Sequence, residues 1–300
     1  MARTSSPAEP AGSRASGRIG SVVAGFDASA QSSRAAYWAA READVRTVPL
    51  RLLHAREPYA RGPAFRAPDS RDHPSPQRLL AQKADELHRA FPGLDISVRS
   101  VDGRPVDVLS GSAGDSDMIV LGARALGPVR GFVLGSVSLA VTCAANCPVV
   151  SVRAGRDNPY GDLLVGVDVD DPCEALLNFS FDEAQQRGCG IRFLSAWALP
   201  PLVGNGAAYD PRVHVQLEMS ARATLDDVLV PWRKRYPGVR TTAQADPGHG
   251  ATQLVERGRG AGLTVVGRRI RDSRLGTHIG PVAHAVLHHA RTPVAVVPLT

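Results

Sequence analysis

The chain has 300 residues, 43% of them hydrophobic and 21% charged, and carries a formal net charge of +6. That length suits two hydrophobic cores of ordinary size, and the composition is that of a globular chain, which excludes a disordered or fibrous one. No run approaches the roughly eighteen uncharged apolar residues of a membrane helix, and the stretch MARTSSPAEPAGSRASGR lacks the apolar centre of a secretory signal, so a cytoplasmic protein with no membrane partner is expected.

The surplus of 35 basic over 29 acidic residues is almost wholly arginine, since Lys83 and Lys234 are the only lysines. The arginines are scattered with no dense basic block, and aromatic residues make up 5% of the chain. Base stacking needs aromatic platforms beside clustered charge, so no nucleic-acid partner is expected. Cys143, Cys147, Cys173 and Cys189 form no CxxC pair and no Cys/His cluster of zinc spacing, which fits a reducing compartment. Cys143 and Cys147, four apart, read as small core residues on one helix face.

Residues 1–17, rich in Ala, Ser, Pro and Gly, are expected to form a flexible tail. Ile19 to Phe26 reads as a strand ending in Gly25-Phe26-Asp27-Ala28-Ser29, with Asp27 at its carboxyl end and Ser29 placed to cap a helix over Gln31 to Asp44. A second strand, Val48 to Ala55, follows. The segment Arg56 to Pro76 holds five prolines and predicts a long exposed loop. Helix is expected over Gln77 to Phe91, strand over Leu94 to Val101, and a helix opened by Pro105.

The stretch Asp117 to Arg153 carries the densest signal. Met118 to Leu121 reads as a buried strand, broken at Gly122 into a loop that also holds Gly127 and Gly131. Gly135-Ser136 opens an amphipathic run that stops at Asn146, ahead of Pro148 and another strand. A strand, a glycine loop and a helix with a hydroxyl in its first turn can wrap phosphates, because glycine admits close backbone approach and the helix start adds partial positive charge. Alternating strands and helices predict the α/β class, a mostly parallel sheet covered on both faces. Such sheets bind ligands outside strand carboxyl ends, where strand order reverses, so Asp27 and the loop after Leu121 are expected to share one site.

The second half repeats the first. LLVGVDVDDP at 163–172 echoes SVVAGFDASA at 21–30, and RFLSAWA at 192–198 echoes RLLHARE at 51–57. Asp27 and Asp168 lie 141 apart (168 − 27), as do His54 and Ser195; later the offset becomes 145, relating Gly122 to Gly267, Gly135 to Gly280 and Pro148 to Pro293. The chain thus reads as a tandem duplication, with domains over 18–155 and 156–300 and a boundary near Arg153 to Gly161.

GFDAS after the first strand, LLHA at the second, VLGARALGPVRGFVLGSVSLAV and then CPVVSV resemble the universal stress protein family in its tandem form, over about residues 19–300. The resemblance implies two doubly wound domains, each a five-stranded parallel sheet of order 3-2-1-4-5 between helices. It also implies that the last strands, Pro148 to Arg153 and Pro293 to Pro298, pair as an internal pseudo-dimer; a homodimer of whole chains is a further option.

Family members that bind ATP carry Gly-x2-Gly-x9-Gly followed by Ser or Thr. Here Gly122, Gly135 and Ser136 match, while Ala125 replaces the second glycine. A left-handed backbone at Ala125 would cost about 1–2 kcal/mol, with Gly127 as an alternative turn. By resemblance, Asp27 meets the ribose or adenine side, the backbone near Leu53 to Ala55 meets the adenine, and Gly122, Arg124, Gly135, Ser136, Val137 and Ser138 line the phosphates. Arg130 adds nearby charge, and Mg is a possible companion of the ATP. The second half departs further, with Ile270 in place of the glycine and Pro281 in place of the hydroxyl, which also removes one N–H donor.

Each of these residues has a plainer reading. Asp27 and Asp168 can simply form turns or caps, and the glycines can be sharp turns around an empty loop. His284 and His288 can share a helix face, yet no acidic neighbour completes an HExxH motif, so His278, His284, His288 and His289 read as surface or packing residues. Trp38 and Trp197 read as packing. The loops 56–76 and 198–210 lie over the same edge as the site, either as covers or as untethered surface. No nucleophile elbow or Walker spacing appears, so a non-enzyme is expected. The leading expectation is a stress-response protein that binds ATP in its first domain and passes occupancy to a protein partner; the alternatives are a nucleotide-independent scaffold and, last, a slow ATPase.

Overall fold

The computed structural model describes residues 20–57, 75–125, 132–133, 135–153, 158–197, 211–269 and 279–299. The expected tail, most of the proline-rich loop, the loop 198–210, and Gly127, Arg130, Gly131, Ile270 and His278 lie outside the described residues.

The first half runs β1 (Val22–Gly25), α1 (Ala30–Arg46), β2 (Leu50–Arg56), α2 (Pro76–Ala90), β3 (Ile96–Asp102), α3 (Pro105–Gly111), β4 (Met118–Gly122), the short ribbon β5 (Arg124–Ala125) and β6 (Phe132–Val133), α4 (Ser136–Ala144) and β7 (Val149–Val152). The second runs β8 (Leu163–Gly166), α5 (Glu174–Arg187), β9 (Ile191–Trp197), α6 (Pro211–Arg235), β10 (Thr241–Pro247), α7 (Gly250–Arg257), β11 (Leu263–Arg269), α8 (Pro281–His289) and β12 (Val294–Leu299). Arg56 belongs to β2 and Pro76 to the first turn of α2, where Ser75 is the N-cap, so the proline-rich connection is shorter at both ends than the sequence suggested.

The ten longer strands form one sheet in the order β10-β9-β8-β11-β12-β7-β4-β1-β2-β3. Each half has the order 3-2-1-4-5 with parallel neighbours, and the two fifth strands, β12 and β7, meet antiparallel with Ala295 opposite Val150. Val22 and Ala24 point into one core while Val23 points into another, because alternate residues of a strand face opposite sides. Helices α1, α2, α5 and α6 cover one face over a core continuous through both halves. On the other face α3 and α4 pack over Val23, Ile119 and Val149, and α7 and α8 over Leu164, Val266 and Val296. Trp38, 1% exposed, is a packing residue as expected.

The expected helix face shared by Cys143 and Cys147 is not formed. Helix α4 ends at Ala144, and Ala145 is extended (φ −69°, ψ 139°), because Pro148 cannot continue a helix and biases the chain ahead of it toward extended backbone. Cys147 is instead buried beneath the sheet's α3/α4 face, beside β4 and β7.

Two buried sets of charges join the halves. Glu42 and Arg46 on α1 have their repeat counterparts in Glu183 and Arg187 on α5, and the four side chains close into a ring. Arg46 pairs with Glu42 at 2.6 Å and with Glu183; Arg187 pairs with Glu42 at 2.7 Å and lies 2.6 Å from Glu183 at an angle short of a hydrogen bond. The Arg187 guanidinium also lies over the Trp38 ring, 5.1 Å from its centroid. Burial pushes the Glu183 carboxyl up, whereas at Glu42 the Arg187 and Arg46 charges overcome burial and hold the carboxyl below its ordinary value. Nearer the β7/β12 seam, Arg268 donates to the Ala145 carbonyl at 2.8 Å and Arg153 donates to the Leu287 carbonyl. Each arginine thus serves the C-terminal carbonyls of a helix in the opposite half, where the helix dipole favours a cation. Burial lowers both guanidiniums, Arg153 to about 10.

Candidate functional site

At the carboxyl ends of β1 and β4, where the strand order of the first half reverses, the described residues bound a cleft of about 240 Å³. Gly25, Phe26 and Asp27 reach it from β1; Ser29, Gln31 and Ser32 from the start of α1; Leu53, His54 and Ala55 from β2; Pro105 and Leu109 from α3. Leu121 and Gly122 close it from β4, and Gly135, Ser136, Val137 and Ser138 from the start of α4.

Seven of the eight expected site residues therefore share one cleft: Asp27, Leu53, Gly122, Gly135, Ser136, Val137 and Ser138. The backbone of Arg124 lies in β5, opposite Val133, and its side chain is outside the described residues. Ala125 also sits in β5, opposite Phe132, without a positive φ, so the strain anticipated there does not arise.

The Asp27 turn is tightly bonded. Ser29 N–H donates to Asp27 Oδ1 at 3.0 Å, so the plain turn-forming reading of Asp27 is realised whatever else it does. Asp27 N–H donates to Ser32 Oγ at 3.3 Å, and Ser29 Oγ caps α1 by accepting from Ser32 N–H at 3.1 Å. Between them Ala28 holds φ 64°, in the left-handed region. The His54 Nδ1 lies 2.8 Å from the Phe26 carbonyl oxygen, and since a carbonyl only accepts, Nδ1 carries the proton.

The two glycines expected at the phosphates differ in kind. A Cβ on Gly122 would lie 2.6 Å from the Gln31 carbonyl carbon and 2.9 Å from Ser32 N, because the start of α1 crosses the end of β4 at backbone contact. Gly135 has φ −58° and ψ 152°, open to any residue, and a Cβ there would meet no atom of the described residues within 4 Å. Packing explains Gly122, whereas Gly135 leaves room beside the first turn of α4. Among the described residues no side chain caps that turn, whose first residues line the cleft. Ser138 Oγ turns back to the Gly122 carbonyl over 3.5 Å, a weak contact, and Ser136 is exposed.

His54, Gln31, Ser32, Pro105 and Leu109 line the cleft without having been singled out as site side chains. The sequence carried a partial signal for His54, which follows Leu53 in the LLHA motif. Its ring meets Phe26 because Leu53 pairs with Gly25, placing the next residues side by side.

The second half's equivalent is built differently. Asp168 Oδ1 accepts from Asp170 N–H at 3.2 Å, but Arg269, the counterpart of Arg124, pairs with Asp168 at 2.8 Å and Asp171 at 3.1 Å. A Cβ on Gly267 would strike the Leu299 side chain rather than a helix backbone. Gly280 precedes α8 with φ −64° and ψ 157°, and Pro281 follows as the first helical residue. Farther along α8 the His284 and His288 rings lie 4.4 Å apart, and among the described residues no group of three or more His, Cys, Asp or Glu side chains is arranged to hold a metal.

The model of the universal stress protein family matches residues 19–153 and again 159–298. The chain belongs to the universal stress protein family. Among curated relatives, the universal stress protein Rv2005c of Mycobacterium tuberculosis is 31% identical over 286 residues, covering 92% of this chain and 96% of the relative. A universal stress protein of Mycolicibacterium smegmatis is 30% identical over 295 residues, with 92% and 96% covered. A solved universal stress protein from Archaeoglobus fulgidus DSM 4304 superposes with a TM-score of 0.61 over 93% of this chain and 98% of that one; at 14% identity it bears on the fold alone. The family is one of stress-response proteins, and no helix among the described residues is long and apolar enough to cross a membrane.

Proposed function

We propose that the first domain of this universal stress protein binds ATP without catalysis and reports its occupancy to a protein partner, while the second domain serves structure. The observation that carries the reading is the start of α4, where Gly135 leaves open space beside an uncapped helix N-terminus at a strand-order reversal. Backbone N–H groups and the helix dipole there suit phosphate oxygens. Leu53, Pro105, Leu109 and Val137 offer an apolar wall for a base, and Asp27 offers a carboxylate to ribose hydroxyls. A bound ATP supplies the triphosphate charge, which Mg can accompany; the chain's part is to orient the nucleotide. The domains of this reading span 18–155 and 156–300.

Isothermal titration of ATP into the wild type and into Asp27→Ala tests the assignment. Measurable binding by the wild type and at least tenfold weaker binding by the variant is the expected result; no binding by the wild type, or equal binding by both, sinks it. The competing reading, a nucleotide-independent scaffold, draws on the Arg269 pairing with Asp168 and on Pro281 in the second half. Recovery of nucleotide from the heat-denatured purified protein counts against that scaffold.

A further inference from the structure

Side-chain hydrogen bonds within residues 27–32 shape the Asp27 turn locally, and the Phe26 N–H donates to the Leu53 carbonyl of β2 at 2.9 Å. The His54 Nδ1 bond to the Phe26 carbonyl, 2.8 Å long and spanning 28 residues, adds a side-chain tether from β2 to the other side of the same residue, at the peptide that enters the turn. The turn contains Ala28 at φ 64°, a conformation that L-residues other than glycine adopt at a penalty and keep only when their surroundings over-determine it. The repeat supplies an internal comparison. In the second half Ser195 stands at the His54 position, Val167 at Phe26 and Cys173 at Ser32. There the Asp168 carboxylate still accepts from Asp170 N–H. Among the described residues, however, no side-chain hydrogen bond joins Ser195 to Val167, and Val169, the counterpart of Ala28, does not have a positive φ. The imidazole tether, the serine acceptor beneath the aspartate N–H and the left-handed residue occur together in the first half and are missing together in the second.

We infer that His54 is a positioning residue that clamps the Phe26-Asp27 peptide and so holds the left-handed Asp27 turn that presents its carboxylate to the cleft. The clamp's relevance to a ligand rests on the nucleotide reading above; the clamp itself does not. The donor is Nδ1–H, because the Phe26 carbonyl can only accept.

Side-chain geometry provides the test. The amide nitrogen of asparagine takes the place of histidine Nδ1, whereas that of glutamine takes the place of Nε2. Hydrogen exchange, read by mass spectrometry on peptides spanning residues 26–33 of the full-length chain without ligand, is compared for wild type, His54→Ala, His54→Gln and His54→Asn. The amides of Asp27, Ser29 and Ser32 are expected to exchange roughly three- to tenfold faster in the Ala and Gln variants, the range that one hydrogen bond supplies. His54→Asn should stay within about twofold of wild type. Peptides from β8 to β12 report folding, and the Asn-against-Gln comparison stands even where the Ala variant unfolds. Unchanged exchange in the Gln variant, or Asn as fast as Gln, overturns the clamp. ATP titration of the same proteins then reads its consequence: affinity should fall roughly three- to tenfold in the Gln variant and return in the Asn variant. Equal ATP affinity in all of them overturns the role in presenting Asp27, whereas a wild type that binds no ATP but shows the exchange pattern overturns the nucleotide reading and upholds the clamp.

Discussion

The Arg187 guanidinium of the second half lies 2.7 Å from the Glu42 carboxylate of the first, with both side chains at most 6% exposed. Because Glu42 and Arg46 recur as Glu183 and Arg187, one i,i+4 pair written twice produces a closed four-membered ring. Each carboxylate meets its own helix's arginine and the other helix's arginine. This is the logic of a twofold interface, in which one patch is complementary to its own copy, realised within a single chain. A buried ion pair is weak evidence for stability, since desolvation offsets much of its attraction, but it strongly penalises arrangements that leave one charge unpaired. The ring therefore specifies how α1 and α5 meet more than it strengthens their contact.

That view separates two substitutions. Glu183→Gln leaves two buried arginines sharing one carboxylate, and the denaturant midpoint should fall in step with a loss of about 3 kcal/mol. Replacing Glu42, Arg46, Glu183 and Arg187 together by methionine should give a chain about as stable as the wild type. A fourfold variant as unstable as Glu183→Gln would show that the ring stabilises rather than selects.

Gly122 and Gly135 should respond differently to alanine. Gly122→Ala forces a methyl to within 2.6 Å of the α1 backbone, and overpacking of this kind costs about 1–3 kcal/mol. Gly135→Ala meets no atom of the described residues within 4 Å, so stability should change by no more than about 0.5 kcal/mol, while ATP affinity falls as the methyl enters the space beside α4. Thermal unfolding and ATP titration on both variants check this; Gly135→Ala with undiminished ATP affinity would remove the phosphate assignment.

Thr47 ends α1 at φ 54° and ψ 46°, and its repeat counterpart Gly188 ends α5 at φ 63° and ψ 29°. A β-branched residue in that region is strained by about 1–2 kcal/mol, of which glycine's extra freedom in the unfolded chain takes back about 0.5–1. Thr47→Gly should therefore stabilise the protein by about 0.5–1 kcal/mol, read as a raised unfolding temperature, with ATP affinity unchanged.

Burial, aided by the Asp117 charge, pushes the Cys147 thiol up to about 12 from an ordinary 9.0. The native state thus keeps this proton to higher pH than the unfolded state, so the thiol's contribution to stability is complete below about pH 9 and is lost as pH rises toward about 12. At pH 8 a maleimide should leave Cys147 unmodified in the folded protein and modify it in urea, as peptide mass mapping will show. Labelling of folded Cys147 at the rate of an exposed thiol would contradict its placement.

The strands and helices were readable because their signals are local: Val22 to Gly25 and Met118 to Leu121 are continuous apolar runs, Ser29 caps α1, and Pro105 opens α3. The duplication was readable because its register drifts by only four residues. The approach of Asp27 to Gly135 and Ser136 followed from the rule that strand carboxyl ends converge where order reverses. What stayed hidden depends on contacts between distant segments. Nothing near Arg153 or Arg268 shows that each reaches a helix end in the other half, and nothing in LLHA shows that the His54 ring is committed to Phe26. The sequence of Gly122 and Gly135 likewise looks like one motif; only packing shows that the first is demanded by α1 and the second by no contact among the described residues. Cys147 was misplaced because four-residue spacing suggests a shared helix face, and Pro148 ended the helix before that face was complete.

The antiparallel meeting of β7 and β12 has a consequence for how the two copies have diverged. It turns the carboxyl ends of the two five-stranded halves toward opposite rims of the sheet, so the Asp27 and Asp168 turns stand at different rims. The interior and the seam bind both copies to a common history, since a change to Glu42 or Val150 is felt on both sides. At the rims that constraint lapses: one copy can acquire a proline at its helix start and an arginine across its aspartate while the other keeps an open glycine and a serine. A gene duplicated in this geometry is free to specialise at its edges and is held to likeness at its centre.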